Sequence, residues 1–201
     1  MPEQTIARQV DTFNEGFTAQ IGPTLTAVFD GEQADLRAAG TPDGTAVIGR
    51  PFPTVELTTP TGERTTVDAV RADAPVVVVF YRGAWCPYCN IALRTYQQEL
   101  LPALRERGVG LVAVSPQTPS ASEQSIRNGE LGFPVLSDPG NVLAGTLGIV
   151  TEPSDEAKQA HAELGFAVAD SNADGTAAVP FPSVFVLDAA GVVRSADVHV
   201  D

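Results

Sequence analysis

The middle of the chain contains a long apolar run, which opens with four consecutive valines. The run from Val76 to Tyr81 is largely β-branched and does not alternate with polar residues, which is typical of a strand buried on both faces. Small residues follow, and helical spacing begins where the two cysteines of the protein, Cys86 and Cys89, occur. The sequence therefore predicts a buried strand that leads into a helix through a short turn carrying both cysteines.

A Cys-x-x-Cys pair at the start of a helix indicates redox chemistry. The N-terminus of a helix presents unpaired N–H groups and the positive end of the helix dipole, both of which stabilise a thiolate. Such a pair is typical of a thioredoxin-like redox site. Half of a zinc site is one alternative, but zinc needs about four ligands, and the only histidines, His161 and His199, stand alone and are expected at the surface. We expect no metal and no cofactor; a pair of inert core thiols is the other alternative.

Composition limits the binding partners and the cellular location that we expect for this protein. The 201 residues carry a formal charge of −13 with a pI near 4.4, and such an acidic surface repels phosphate backbones and anionic lipid headgroups. We therefore expect no nucleic acid partner and no membrane partner. The first residues, Met1–Thr5, lack the basic and apolar regions of a secretory signal, so we expect a cytoplasmic protein, in which a vicinal cysteine pair stays reducible.

The N-terminal part of the chain is predicted to be helical. Apolar residues recur at helical spacing from Thr5 to Gln20 and again from Leu25 to about Ala39, with a Gly-Pro break between the two segments. This pattern predicts a helical hairpin as an N-terminal extension over residues 1–45, followed by the main domain over residues 46–201. The hairpin is expected to pack on this domain or on a second copy of the chain, which would form a homodimer.

The rest of the chain alternates strands and helices, which predicts an α/β fold with a mixed central sheet flanked by helices. Strand, helix and strand around the cysteines make a parallel βαβ unit. No structure is predicted for residues 151–174, which are polar and weakly periodic. The other predicted elements are a β-hairpin over Thr54–Val67, a helix after the cysteines that bends at Pro102, strands at Val109–Val114 and Phe133–Asp138, and a terminal β-hairpin over Val179–Arg194.

Several motifs have the order and spacing of a known family. They are Phe80–Asn90 followed by Leu93 and Arg94, then Ser115–Gln117, Phe133–Asp138 and Pro182–Asp188. On these motifs the chain, from about residue 50 to residue 198, resembles the peroxiredoxin-like branch of the alkyl hydroperoxide reductase/thiol-specific antioxidant family, within the thioredoxin-like superfamily. The resemblance implies a thioredoxin-like fold.

The resemblance also implies roles for individual residues. Typical peroxiredoxins have a proline, a hydroxyl residue and the peroxidatic cysteine at the positions that hold Arg82, Cys86 and Cys89 here. Cys89 thus matches the peroxidatic position, and Cys86 replaces the hydroxyl residue that orients the peroxide. A late-strand arginine of the family is replaced by Pro182. Thioredoxins have a proline at this position, usually after a cis peptide bond, so the resemblance implies a cis Pro182 beside the cysteine pair.

The implied activity is that of an enzyme that reduces hydrogen peroxide or organic hydroperoxides with a thioredoxin-like reductant. The Cys89 thiolate becomes a sulfenic acid, and Cys86 condenses with it to form a disulfide bond. Arg82 and Arg94 are candidates for lowering the pKa of the thiol, or else form surface ion pairs. Trp85 is expected to contact the substrate or a redoxin, or to pack the turn.

Two other functions stay open from the sequence. In a general thiol–disulfide oxidoreductase without substantial peroxidase activity, Cys86 would attack a substrate disulfide and Cys89 would resolve the mixed disulfide. In a non-catalytic interaction protein, the helical hairpin would dimerise, and the cysteines would have no redox role.

Overall fold

The computed structural model describes residues 5–42 and 48–200, and it shows a mixed sheet with helices on both faces. The strands are β1 (Leu57–Thr58), β2 (Arg64–Thr65), β3 (Val76–Phe80), β4 (Gly110–Ser115), β5 (Val135–Ser137), β6 (Val150–Thr151), β7 (Val179–Pro180), β8 (Ser183–Leu187) and β9 (Val193–Val198). Within the described residues, seven of them form one sheet in the order β2-β1-β5-β4-β3-β8-β9, while β6 pairs with β7. The predicted α/β fold with a mixed central sheet is confirmed.

The central strand β3 sets the position of the functional site. It pairs in parallel with β4 and antiparallel with β8, and all five of its residues are buried. β4 pairs in turn with β5, again in parallel. The carboxyl ends of β3, β4 and β5 therefore meet at one edge of the sheet, where ligands of α/β proteins commonly bind.

Successive side chains of β3 enter two different cores, because neighbouring residues of a strand point to opposite faces of the sheet. Phe80 lies in the first core, where its ring meets that of Phe185 edge to face, with centroids 5.7 Å apart. Tyr81, the next residue, lies in the second core together with Cys86 and Cys89. The cysteine pair thus belongs to the core on one face of the sheet.

The helices cover both faces of this sheet. They are α1 (Ile6–Ala39), α2 (Val67–Arg71), α3 (Pro87–Thr95), α4 (Leu101–Arg105), α5 (Pro119–Gly129), α6 (Val142–Thr146), α7 (Asp155–Glu163) and α8 (Val168–Ser171). A π-helical turn over Tyr96–Leu100 separates α3 from α4. The irregularity ends two residues before Pro102, which has no N–H with which to continue the α-helical bonding pattern. No helix in residues 5–42 and 48–200 is long and apolar enough to cross a lipid bilayer.

The two predicted N-terminal helical segments are confirmed as the two parts of α1, which is broken at Gly22 (φ 79°, ψ 170°), a conformation that favours glycine. The first part contacts α3, and Gln9 Nε2 donates a hydrogen bond to Thr95 Oγ1 at 3.1 Å. The second part contacts α7, where the Glu32 carboxylate accepts a bond from the Ser154 N–H at 3.1 Å. Both parts therefore pack on the rest of the same chain. The predicted boundary at residue 45 lies outside the described residues.

Residues 151–174, for which the sequence predicts no structure, contain α7 and α8. The buried residues of α7 are Ala157 and Ala160, and its N-cap Ser154 accepts a hydrogen bond from the Ala157 N–H at 3.1 Å. Alanine gives a weak hydrophobic period, which is why the pattern does not reveal this helix. Through His161 and Phe166 the segment contacts Trp85, the residue before Cys86.

Candidate active site

The two cysteines lie at the start of α3, directly after the turn that follows β3. Cys86 is the N-cap residue, and its Sγ accepts a hydrogen bond from the Cys89 N–H at 3.4 Å. Pro87 occupies the first helical position, where the missing N–H of proline leaves no bond unmade. Cys86 is 3% exposed and Cys89 is 7% exposed, and both are free thiols. The site is thus a buried, reduced dithiol at a helix N-terminus.

The surroundings of the two sulfurs are not equivalent. The hydrogen bond from the Cys86 thiol lowers the pKa of Cys89 to about 7, against the effect of burial. The charge of Arg82 and the backbone N–H groups of Arg82 and Gly83 lower this pKa as well. The same side-chain bond raises the pKa of Cys86, and burial raises it further. The surroundings therefore favour Cys89 over Cys86 as the thiolate of the pair, with Cys86 as the thiol that donates to it.

Of the two predicted arginines, the fold brings Arg82 to the sulfurs. Arg82 lies in the turn between β3 and α3, and its positive charge favours the thiolate form of both Cys86 and Cys89. Arg94 is exposed on α3, and its guanidinium donates a hydrogen bond to the carbonyl of Asn128 in α5 at 2.6 Å. The structure thus places Arg94 at a surface bond with α5.

A buried polar network supports the turn that joins β3 to α3 over Tyr81–Cys86, called the cysteine turn. Gln117 is fully buried, and its Oε1 accepts a hydrogen bond from the Ala84 N–H at 2.6 Å. Its Nε2 donates to the hydroxyl groups of Ser115 at 3.1 Å and Tyr81 at 3.2 Å. The Tyr81 hydroxyl donates in turn to Ser125 Oγ at 3.0 Å, and burial raises the pKa of Tyr81 to about 12. The network therefore stays neutral and fixes the backbone of the turn.

The turn is also held from its other side and leaves no space for a side chain at Gly83. Asn90 Nδ2 donates to the Ala84 carbonyl at 2.8 Å, so both backbone polar groups of Ala84 are bound. A Cβ atom at Gly83 would collide with Trp85 Nε1 and lie 3.0 Å from Gln117 Oε1. The backbone that presents N–H groups to Cys89 is thus fixed by its neighbours.

Trp85 packs in an aromatic cluster, in line with the second of its two predicted roles. Its ring centroid lies 5.5 Å from that of Phe166 and 5.7 Å from that of His161, while His161 also lies 5.2 Å from Phe29 of α1. The expectation of a surface position for His161 is wrong: it is half-buried, and burial lowers its pKa, with Arg82 adding to the effect. The reason is that residues 151–174 fold back over the cysteine turn. By contrast, His199 is exposed and contacts Asp197 at 3.0 Å, as expected for a surface residue.

The prediction of a cis peptide bond at Pro182 is wrong, because the Phe181–Pro182 bond is trans. The Phe181 N–H donates to the Ile149 carbonyl at 2.7 Å, and the Pro182 carbonyl accepts from the His199 N–H at 2.9 Å. These bonds lead the chain from β7 directly into β8 in the trans form, which X–Pro bonds ordinarily favour. Pro182 still precedes the residue that pairs with Phe80, and so it lies near the start of the cysteine turn.

Sequence reasoning missed two groups of this site. Gln117 follows the end of a strand, and a loop residue that only caps its own turn occurs in the same sequence context. The sequence therefore does not distinguish the two roles. His161 lies in a segment without a clear period. The only signal that pointed to Gln117 is its place in the Ser-Pro-Gln motif at the carboxyl end of β4, and no signal in the sequence pointed to His161.

A buried dithiol at the N-terminus of the helix that follows a central strand is the site of a thioredoxin-like redox fold. The AhpC/TSA family matches this chain over residues 48–196, which is most of its length. The chain therefore belongs to the AhpC/TSA family.

Several solved structures with the same fold are named as peroxiredoxins or as members of the AhpC group. Peroxidoxin BcpB from Mycobacterium tuberculosis has a TM-score of 0.59 at 20% identity, covering 75% of this chain and 84% of that one. Reduced Prx3 from Vibrio vulnificus, solved in complex with hydrogen peroxide, has a TM-score of 0.62 at 19% identity, covering 77% and 88%. AhpC from Enterococcus faecalis has a TM-score of 0.57 at 16% identity, covering 77% and 82%. At these identities the similarity shows the fold.

Curated relatives carry a different name. The thiol-disulfide oxidoreductases ResA of Bacillus anthracis and of Bacillus cereus strain ATCC 10987 are 28% and 27% identical to this chain over 108 residues. The match covers 53% of this chain and 61% of each relative. The chain thus spans about three fifths of the length of these relatives.

Proposed function

We propose that this protein is a thiol-dependent peroxidase that reduces hydrogen peroxide or organic hydroperoxides through a dithiol/disulfide cycle. The observation that carries the proposal is the unequal pair, in which Cys89 is the sulfur whose pKa is lowered to about 7. The resemblance of the Phe80–Asn90 motif to peroxiredoxins, which implies the peroxidatic role for Cys89, supports the same assignment. The helix dipole alone would favour the thiolate at the N-cap residue, Cys86. The hydrogen bond from the Cys86 thiol and the donors of Arg82 and Gly83 instead favour the thiolate at Cys89.

The proposed reaction has two chemical steps at the pair. The Cys89 thiolate attacks one peroxide oxygen, so an S–O bond forms, the O–O bond breaks, and the other oxygen leaves and takes up a proton as alcohol or water. Cys89 is then a sulfenic acid. The Cys86 sulfur attacks the Cys89 sulfur, an S–S bond forms, and the hydroxyl group leaves as water with the Cys86 proton. The cycle closes when an external dithiol reduces the disulfide.

Burial supports a small substrate in the first step. Both cysteines are at most 7% exposed, and a folded protein disulfide would have to reach them through the covering residues. A hydroperoxide needs far less space. The donors around Cys89, which are Arg82 and the backbone N–H groups of Arg82 and Gly83, also suit an attacked peroxide, because negative charge develops on the leaving oxygen.

The test uses the two single-cysteine variants with one equivalent of hydrogen peroxide and a sulfenic-acid trap, dimedone, followed by mass spectrometry. We expect the wild type to form the disulfide without trapped adduct, and Cys86→Ser to yield the adduct on Cys89. Cys89→Ser is expected to react no faster than an ordinary buried thiol. Adduct formation on Cys86 in Cys89→Ser at the rate seen for Cys89 would contradict the assignment.

A general thiol–disulfide oxidoreductase is the second candidate, because the ResA relatives are named for that activity and Cys86 is the N-cap residue. In this function Cys86 attacks a protein disulfide and Cys89 resolves the mixed disulfide. Cys86 of the Cys89→Ser variant would attack an interchain disulfide of oxidised insulin, so a mixed disulfide with one insulin chain would accumulate while the other chain leaves as a thiol. The wild type would reduce insulin faster than it reduces hydroperoxide. The peroxidase proposal predicts the opposite order of rates.

We also propose that a thioredoxin-like protein is the reductant, which requires the residues covering the pair to open once the disulfide has formed. The cycle is proposed to run in the cytoplasm, since it needs a reducing compartment. Tyr88, next to the pair and 38% exposed, offers this reductant an aromatic contact. A homodimer stays a prediction, and gel filtration with light scattering on the full chain tests it.

A further inference from the structure

Two side chains from different elements bind the backbone of Ala84, in the middle of the cysteine turn. Gln117, in the loop after β4, accepts a hydrogen bond from the Ala84 N–H at 2.6 Å, and Asn90 of α3 donates to the Ala84 carbonyl at 2.8 Å. The turn itself uses neither group, because its own hydrogen bond joins the Cys86 N–H to the Gly83 carbonyl at 3.1 Å. The two side chains therefore fix the peptide planes on both sides of Ala84.

Asn90 reaches the turn because of its position in α3. It lies one helical turn after Cys86, and its backbone N–H donates to the Cys86 carbonyl at 3.1 Å. Side chains of a helix lean towards its N-terminus, so the amide of Asn90 extends back over the first turn of α3 to Ala84. Asn90 also directly follows Cys89 in the chain. One helical turn thus carries both the sulfur and a side chain that fixes its surroundings.

The backbone just before Ala84 presents donors to the sulfur of Cys89. Next to the bond from Cys86, which has the largest effect, two backbone N–H groups lower the pKa of Cys89. They belong to Arg82 and Gly83. Consecutive N–H groups that point the same way form a concave site for negative charge. Because glycine tolerates a wide range of backbone dihedral angles, the direction of these groups depends on how firmly Ala84 is held.

We propose that Asn90 is a positioning residue for the reaction of Cys89, because its bond to the Ala84 carbonyl keeps the two N–H groups directed at the sulfur. Gln117 supports the same residue from the N–H side. Asn90 acts through the backbone of the turn. The inference rests on the proposed function in one respect, which is that Cys89 is the attacking sulfur.

A positioning role predicts a change that a purely structural role does not. If the two N–H groups turn away from Cys89, its thiolate is less stable, and the pH of half-maximal reaction rises. A loss of packing alone lowers the free energy of unfolding and leaves this pH unchanged. Asn90 suits the test better than Gln117, because Asn90 is half-buried whereas Gln117 is fully buried.

The test uses Cys86→Ser as the parent, in which Cys89 is the single cysteine. Asn90→Ala is added to this parent, and mass spectrometry follows the alkylation of Cys89 by iodoacetamide between about pH 5 and about pH 9. We expect the half-maximal pH to rise by about half a unit or more, because donors to a thiolate are weakened. The rate at pH 7 should then fall about twofold or more, and the rate at high pH should stay close to that of the parent.

Asn14→Ala in the same parent is the matched control. Asn14 is also an asparagine with a side-chain hydrogen bond of 2.8 Å close to the pair, but its partner is the Tyr88 hydroxyl, outside the cysteine turn. Its half-maximal pH should equal that of the parent. Gln117→Leu releases the N–H side of Ala84 and should raise the half-maximal pH as Asn90→Ala does. Alanine is a good helix former, so Asn90→Ala is expected to fold, which circular dichroism checks.

The inference is overturned if Asn90→Ala lowers the free energy of unfolding but leaves the half-maximal pH at the value of the parent. It is also overturned if Asn14→Ala raises this pH as much as Asn90→Ala does. The rate of the parent with hydrogen peroxide, measured alongside, separates this inference from the proposed function. A parent that reacts no faster than free cysteine contradicts the peroxidase, whereas the alkylation profiles alone decide the role of Asn90.

Discussion

At the scale of single residues, Cys86 acts on Cys89 through one hydrogen bond, and this bond can be removed or kept by choice of substitution. Cys86→Ser keeps a hydroxyl donor, whereas Cys86→Ala has none. Because the Cys86 bond is the largest cause of the lowered pKa of Cys89, the two variants should differ in the pH at which Cys89 reacts.

The prediction is a pH profile of sulfenic acid formation at Cys89. In Cys86→Ser the rate should be half-maximal near pH 7, flat above it, and about tenfold lower for each pH unit below it, because only the thiolate attacks. In Cys86→Ala the half-maximal pH should lie clearly higher. Dimedone labelling at limiting hydrogen peroxide measures both profiles. Equal midpoints in the two variants would show that this bond does not set the pKa.

Gln117 stabilises the fold through its hydrogen bonds to the cysteine turn. Gln117→Leu leaves the buried Ala84 N–H without an acceptor and removes the donor to Tyr81, so we expect a loss of about 3 kcal/mol in the free energy of unfolding. Gln98→Leu, at an exposed position of the π-helical turn, is the matched control and should change it by less than about 0.5 kcal/mol. Urea denaturation measures both, and equal losses would contradict the role of the network.

The residues of the site differ in how far the sequence could predict them. The cysteine pair was visible because its chemistry and its place after a buried strand are both local properties of the chain. The role of Gln117 was not visible, because its partners Ala84, Tyr81 and Ser125 come from other elements that only the folded sheet brings together. The cis bond at Pro182 was implied only by the resemblance, whereas the trans form found in the structure is the one that X–Pro bonds ordinarily favour.

At the scale of elements, the contact of α1 with the active-site helix is mainly apolar. The Phe13 ring lies 5.1 Å from that of Phe17 and meets the Tyr88 ring edge-on at 5.4 Å. The Tyr88 hydroxyl also donates to Asn14 Oδ1 at 2.8 Å, but this bond is exposed to solvent. Since exposed hydrogen bonds contribute little, the rings are expected to hold the first part of α1 in place.

The contribution of the aromatic rings to the docking of α1 can be tested by substitution. Phe13→Ala should destabilise the docking of residues 6–21 by about 2 kcal/mol, whereas Tyr88→Phe should cost less than about 1 kcal/mol. Hydrogen exchange with mass spectrometry should show faster exchange of these amides in Phe13→Ala and unchanged exchange in β3. If Tyr88→Phe accelerates exchange as much, the hydrogen bond is the main link.

Elements with a strong period were predictable, and elements without one were not. The apolar residues of α1 recur at helical steps, and the run in β3 has no polar interruption, so both appear in the sequence as they appear in the fold. The buried face of α7 consists of Ala157 and Ala160, whose small side chains give little contrast with the exposed face. Its position over Trp85 follows from tertiary contacts that no local pattern records.

At the scale of the whole molecule, the formal charge of −13 should give the two half-reactions of the cycle different dependences on ionic strength. Hydrogen peroxide is neutral, so its reaction with Cys89 should not depend on ionic strength. An acidic thioredoxin is repelled by an acidic surface, so its reduction of the disulfide should become several-fold faster between low salt and 0.5 M salt. Stopped-flow measurement of each half-reaction tests this, and a salt-dependent peroxide step would contradict it.

The overall architecture was the most predictable level. A buried strand, a helix and a second buried strand imply a parallel pair, and the structure has that pair at β3 and β4. What the sequence could not show is that α1 and α7 meet over the cysteine turn, because such packing depends on the complete set of contacts between elements.

The central claim is that Cys89 is a peroxidatic thiolate, and the most direct test is its second-order rate constant with hydrogen peroxide at pH 7. A pKa near 7 by itself makes the thiolate fraction about fifteen times that of free cysteine. We predict a rate constant that exceeds free cysteine by at least about tenfold more than this, because donors also stabilise the leaving oxygen. The rate should persist in Cys86→Ser and disappear in Cys89→Ser. A wild-type rate no greater than that of free cysteine, or one that survives in Cys89→Ser, would contradict the claim.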